Sequence, residues 1–264
     1  MAAMNVAGRA PLSAAELDSR LPAGWWLTTV AETGSTNADL LAAARLGAPD
    51  RSVLAAELQT AGRGRLDRGW QSPTGAGLTV SVLLRPPVPP ARWAWLPLIA
   101  GLALSRTVGG LLKWPNDVLL GPDQRKVAGI LGESGPDAVV LGMGVNVSTT
   151  AAELPVPTAT SLAVEGIALE RGELLVGLLT ALDAELARWY AADGDAELAG
   201  VAADYRARCA TIGSQVQVQL PDRVEHGRAA TVDSDGRLVV EPAAGAELLR
   251  VAAGDITHLR PAAG

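Results

Sequence analysis

Residues 118–134, VLLGPDQRKVAGILGES, decide the reading of the fold. An apolar run, a Gly-Pro-Asp-Gln reversal and a second run of small and apolar residues read as two strands joined by a polar turn. Working outward, LTVSVLLR (78–85) and DAVVLGMGVNV (137–147) read as strands, the second with glycines inside it, and SVLAAELQ (52–59) and WWLTTVAETG (25–34) precede them. ADLLAAARLG (38–47) reads as a helix that Ser35, Thr36 or Asn37 can cap and that Gly47 and Pro49 stop. Residues 91–110 read as a buried helix. Two more helices are expected over 170–192 and 196–209, the first with Leu174, Leu175, Leu178, Leu179, Leu182 and Leu186 at helical spacing, which is a core stripe. After Thr211 the character changes: SQVQVQL alternates strictly, and DSDGRLVVEP and AELLRVAAGDITHL add short strands with tight turns. The expectation is an α+β chain, a mixed β-sheet with flanking helices over 1–212 followed by a small barrel-like β module over 213–264.

Composition narrows the function. A hydrophobic content of 48% argues for a folded core, and a net charge of −6 counts against a general nucleic-acid binder. Cys209 is the only cysteine, which excludes an internal disulfide and a multi-cysteine metal site and suits a reducing compartment. The start, MAAMNVAGRAPLS, lacks the charged and apolar regions of a signal peptide, and the longest apolar stretch, WAWLPLIAGLAL (93–104), is too short to span a bilayer. A cytoplasmic protein without membrane contact is expected. Among 22 basic residues only Lys113 and Lys126 are lysines. A compact ammonium does what the planar arginine fork cannot, so both lysines read as site residues.

Against that acidic background, GRGRLDRGWQSPTG (62–75) gathers three arginines and a tryptophan in one glycine-broken stretch. Gly62 and Gly64 permit close backbone approach, while Arg63, Arg65 and Arg68 offer forked donors to carboxylate or phosphate oxygens. Trp70 adds a flat face for a base or another ring. In KWPNDV (113–118) Lys113 can meet a phosphate, and Asn116 with Asp117 offers oxygens to a ribose or to Mg²⁺. RKVAGILGES places Lys126 beside Gly129 on a strand, and GMGVNV (142–147) presents Asn146 after two space-clearing glycines. No P-loop is present, and GMGVNV lacks the third glycine of a dinucleotide fingerprint.

In this order STN (35–37), GRGRLDRGW, KWPND, RKVAGIL and GMGVNV resemble the biotin–protein ligases, the holocarboxylase synthetases among them, over most of the chain. The resemblance implies a class II synthetase/lipoate-ligase-like catalytic domain followed by an SH3-like β-barrel. It implies ATP and biotin as substrates with Mg²⁺, formation of biotinyl-5′-AMP, and transfer of biotin to a lysine of a carboxylase carrier domain. By the same resemblance Arg63, Arg65 and Lys126 gather the biotin carboxylate and the α-phosphate, and Arg68 and Lys113 hold the triphosphate. Trp70 packs on the adenine, Asn116 and Asp117 lie near the ribose or the metal, and Asn146 meets the nucleotide. Ser35, Thr36, Gln59, Gly62, Gly129, Gly142 and Gly144 line the biotin pocket. His226 and His258 are expected to lie away from the motifs. The loop is expected to order on ligand binding, and Asp67 stands where many relatives have glycine. Only about thirty residues precede the first catalytic strand, too few for the helix-turn-helix of about sixty residues that makes some relatives repressors, so a ligase without operator binding, a monomer or weak homodimer, is expected. The rivals are a lipoate–protein ligase and a nucleic-acid-binding regulator.

Overall fold

A computed structural model describes residues 9–65, 68–220, 223–242, 247–252 and 255–258. Seven strands form the main sheet in the order β1-β2-β3-β7-β6-β5-β4. They are β1 Trp26–Thr33, β2 Ser52–Gln59, β3 Gly77–Leu84, β4 Leu111–Lys113, β5 Asp117–Leu120, β6 Arg125–Ser134 and β7 Val139–Asn146. β1 and β2 are parallel, and every other neighbouring pair is antiparallel, so the sheet is mixed. The helices are α1 Ala14–Leu17, α2 Thr36–Arg45, α3 Leu96–Val108, α4 Arg171–Ala191 and α5 Val201–Arg208. The expected helix over 91–110 is divided: Pro90–Trp95 wind as 3₁₀ turns before α3 begins. Among the described residues no helix is long and apolar enough to cross a membrane.

The period of two on the central strands sorts residues between two faces. On β3, Leu78, Val80, Val82 and Leu84 join α3 and α4 in the large core, while Leu83 packs with Leu40 of α2 in a small core on the other face. On β7, Val139, Leu141, Met143 and Val145 enter the large core. The alternate positions Gly142, Gly144 and Asn146 therefore share the α2 face. α2 starts where Ser35 caps it, its side chain accepting from the Ala38 N–H at 3.5 Å.

The second sheet is separate, with order β11-β10-β9-β8-β12. Its strands are β8 Gln215–Gln219, β9 Val224–Val232, β10 Leu238–Pro242, β11 Leu249–Val251 and β12 Asp255–His258. Among the described residues the outer strands β11 and β12 do not pair, so the expected barrel is an open antiparallel sheet here. Two strands went unread in the sequence. β4 is only three residues long, and β9 carries the sequence VEHGRAATV, whose polar interruptions blur its alternation.

Two tryptophans fasten this sheet to the first. Trp95 Nε1 donates to Ser234 O at 2.7 Å and Trp114 Nε1 to Gly236 O at 3.0 Å, both at the β9–β10 turn. Gly236 has φ +79°, a left-handed conformation that favours glycine, and a Cβ there would lie 3.0 Å from Leu98 Cδ1 of α3, so a side chain at this turn would be strained. Arg206 Nε adds a bond to Val232 O at 2.7 Å.

Candidate active site

The α2 face of the main sheet carries a cavity of about 930 Å³, and strand register explains why distant motifs meet in it. Thr79 pairs with Gly144, Gly144 with Gly129, Gly129 with Asp117 and Asp117 with Lys113. One row across five strands thus joins GMGVNV, RKVAGIL and KWPND, with glycine at its middle positions. A second row runs Ser81, Gly142, Leu131. Glycine at 142, 144 and 129 leaves a floor without side chains, and two other groups occupy the space. A Cβ on Gly142 would lie 2.3 Å from Asn37 Oδ1, and one on Gly144 would lie 2.3 Å from Trp70 Cε2. A Cβ on Gly129 would meet Lys126 Nζ at 3.2 Å and Trp70 Cζ3 at 3.4 Å. The Trp70 indole therefore lies on the floor itself, with Lys126 Nζ 5.8 Å from its ring centroid.

Lys126 Nζ forms an ion pair with Asp117 Oδ1 at 2.7 Å, so the ammonium is held in place by the KWPND strand. Asn116 stays close to β6: its Nδ2 donates to Ile130 O at 3.2 Å and its carbonyl accepts from the Ile130 N–H at 2.8 Å. Asn146 is buried, and its Nδ2 donates to Thr160 O at 2.9 Å, tying β7 to the segment that closes the cavity through Thr158 and Ala159. That segment, with Pro155 and Val156, also lines the cavity and was not singled out in the sequence. It carries no charge and no periodicity to mark it.

At the other end a chain of neutral polar groups crosses the floor. The Thr36 N–H and Oγ1 donate to Gln59 Oε1 at 2.8 and 2.9 Å, and Thr36 Oγ1 lies 2.6 Å from Ser81 Oγ. Ser81 Oγ in turn donates to Asn37 Oδ1 at 2.6 Å. Thr36, Ser81 and Asn37 are all buried, so each bond is made away from water, where an unmade one would be costly.

The arginine loop folds back on itself. The Gly64 N–H donates to Arg68 O at 2.6 Å and the Trp70 N–H to Gly62 O at 2.9 Å, and Arg63 bridges Gly69. The loop expected to order only with ligand thus has hairpin geometry at its described residues, and Asp67 lies outside them. Arg63, Arg65 and Arg68 all line the cavity. Gly62 is a correction, since it does not line the cavity. A Cβ there would lie 2.4 Å from Trp70 O and 2.8 Å from Gln59 Nε2, so its smallness closes the base of the hairpin. Every other expected site residue lines the same cavity, Ser35, Lys113 and Trp70 among them.

His258 is the second correction. His226 is exposed on β9 as expected, but His258 of β12 lines the cavity together with Ser214. Its Nε2 lies 2.9 Å from Thr211 Oγ1, which also accepts the Trp114 N–H at 3.0 Å. No sequence signal links a histidine near the C-terminus to KWPND, because only the packing of the second sheet brings them together.

The sequence profile of the Biotin/lipoate A/B protein ligase family matches residues 33–148, and that of the Biotin protein ligase C terminal domain matches residues 211–259. The chain is 45% identical over 269 residues to the biotin–[acetyl-CoA-carboxylase] ligase of Mycobacterium tuberculosis, covering 96% of this chain and 97% of that protein. It is 34% identical to the biotin–[acetyl-CoA-carboxylase] ligase of Paracoccus denitrificans, over 84% of this chain and 97% of that one. The structure superimposes with a TM-score of 0.73 on the biotin protein ligase from Aquifex aeolicus in complex with biotin and ATP, at 25% identity over 89% of this chain and 99% of that one.

Proposed function

The chain belongs to the biotin protein ligase family, and from that premise we propose that it forms biotinyl-5′-AMP from biotin and ATP and passes biotin to a lysine of a biotin carboxyl carrier domain. One observation supports this most: Lys126 and the loop arginines face one glycine-floored cavity whose far end is a chain of neutral hydrogen-bonding groups. A ligand with a carboxylate at one end and an uncharged polar ring at the other matches that division.

In this reading the ureido ring of biotin meets Thr36 and Gln59, and the ring body lies against Leu131 and the glycine floor. Its carboxylate reaches Arg63, Arg65 and Lys126. A carboxylate oxygen attacks the α-phosphorus, the bond to the bridging oxygen of the β-phosphate breaks, and pyrophosphate leaves. Charge concentrates at the shared phosphate, where cations already fixed in place stabilise the transition state most. Lys126, held by Asp117, is such a cation, and Lys113 and Arg68 take the departing phosphates. Trp70 Nε1 is buried without a hydrogen-bond partner among the described residues, a donor that a ligand oxygen would satisfy. In the second step the acceptor amine attacks the acyl carbon and AMP leaves. The anhydride is already activated, so positioning and exclusion of water suffice.

For Mg²⁺ the described residues that line the cavity offer one carboxylate, Asp117, already paired with Lys126, and no cluster of three metal-ligating side chains exists among the described residues. This fits an ion carried mainly by substrate phosphates, with Asp117 at its edge. When bound there, the ion would neutralise phosphate charge. The acidic net charge of −6 supports a ligase that does not bind DNA, acting as a monomer or weak homodimer.

Biotin-dependent exchange of labelled pyrophosphate into ATP, run beside lipoate, tests the reading: exchange with biotin alone is expected. Exchange with lipoate instead would replace the substrate, and exchange with neither would remove the activity. A second prediction concerns the floor. Gly142→Ala drives a methyl group into the Asn37 amide, breaking a buried hydrogen-bond chain, and biotin affinity measured by calorimetry should fall by roughly tenfold or more. Unchanged affinity would separate Asn37 and its neighbours from the biotin pocket.

A further inference from the structure

Glu133 lies on β6 two positions beyond Leu131, on the face that carries the cavity, yet it is not part of the cavity wall. Its carboxylate accepts from Arg63 Nη2 at 3.0 Å through Oε1 and 3.3 Å through Oε2. Oε2 also accepts from Asn37 Nδ2 at 2.7 Å. Asn37 is itself fixed from two other sides, donating to Leu131 O at 3.2 Å and accepting from Ser81 Oγ at 2.6 Å. One carboxylate thus joins a half-exposed loop arginine to a buried amide of the sheet floor.

A carboxylate behind an anion site is electrostatically unfavourable for the substrates: it offsets the charge of Arg63 and repels what Arg63 attracts. Its contribution can only be geometric. We propose that Glu133 is a positioning residue that acts through Arg63, anchoring the arginine loop to the Asn37 end of the floor and so fixing the guanidinium before the substrates arrive. This rests on the reading of the cavity as the biotin and ATP site. The side chain of Arg63 has five donors, so the pairing with Glu133 leaves donors for a ligand oxygen. Because Asn37 is part of the chain that includes Thr36 and Gln59, disturbance at the polar end of the floor would reach the loop through this one group.

The test uses Glu133→Gln, Arg63→Ala and the double variant of the full chain, with two readouts. The first is trypsin cleavage after Arg65 and Arg68 in the ligand-free protein. Losing one partly exposed ion pair should raise its rate roughly two- to fivefold. The second is KM against kcat for biotin in pyrophosphate exchange, where Glu133→Gln should raise KM by a similar factor with a smaller change in kcat. In the Arg63→Ala background, Glu133→Gln should add nothing to either readout. Glu133→Asp, which keeps the charge, should recover part of the loss.

Equal effects of Glu133→Gln with and without Arg63 would overturn the proposal, as would unchanged cleavage. A lowered KM would overturn it too, since the carboxylate would then act by repulsion alone. If the wild-type chain shows no exchange with biotin, the functional reading fails separately. The cleavage comparison across the four proteins still decides the role of Glu133.

Discussion

Lys126→Ala is expected to lower biotin-dependent pyrophosphate exchange by roughly 10²- to 10³-fold, the usual cost of removing one fixed donor from a developing negative charge. The ammonium is 2.7 Å from Asp117 Oδ1 and stands over the glycine floor beside Trp70, so it is oriented before any substrate binds. Truncation also leaves the Asp117 carboxylate, only 16% exposed, without its partner, and some thermal stability should be lost with the activity. Lys126→Arg separates the two effects. It keeps a cation for Asp117 and should recover most of the stability, but its planar fork cannot take the place of a compact ammonium, so exchange should stay low. Exchange at the wild-type rate in Lys126→Ala would remove the residue from the chemistry. Full recovery in Lys126→Arg would mean that only the charge matters.

Trp114→Ala should produce the largest loss of stability. The side chain is 1% exposed, belongs to the main core, and donates to Gly236 O at the turn that seats the second sheet. Truncating a buried tryptophan costs about 3–5 kcal/mol. In a chain of this size that corresponds to a fall in Tm of the order of 10 °C. The position has a second consequence. Trp114 lies between Lys113 and Pro115, and its N–H donates to Thr211 Oγ1, the hydroxyl beside His258. The backbone bond survives in the variant, but loss of the indole removes the bond to Gly236 O and the packing beneath it, and should loosen the second sheet and the KWPND turn together. Calorimetric unfolding combined with KM for ATP checks this: a lower Tm with unchanged KM would show that the sheet is held for stability alone.

Much of the architecture could be read from the sequence, for local reasons. Ser35 before ADLLAAARLG marks a helix start because its hydroxyl serves the orphan N–H groups of the first turn. The leucine stripe of α4 repeats at helical spacing because one face must be buried, and all of Leu174, Leu175, Leu178, Leu179, Leu182 and Leu186 are in the core. The candidate site residues stood out by type: arginines and lysines where the rest of the chain is acidic, and glycines inside strands. β4 escaped because three residues cannot display a period. Glu133 escaped because a lone carboxylate on a strand looks like a solvated surface group, and Asn37 because it also suited a helix cap.

The sequence by itself determined most of the helices and strands, β4 and β9 excepted, where the character of the chain changes near residue 212, and which motifs mark a biotin protein ligase. Those properties depend on spacing and residue type, which are local. The tertiary structure decided the row Thr79, Gly144, Gly129, Asp117, Lys113, the placement of Trp70 on its glycines, the carboxylate shared by Arg63 and Asn37, and the arrival of His258 at the cavity. Each depends on strand register or on the docking of one sheet against another. A shift of one residue in register would turn every side chain of a strand to the opposite face, and local periodicity does not specify which partner a strand takes.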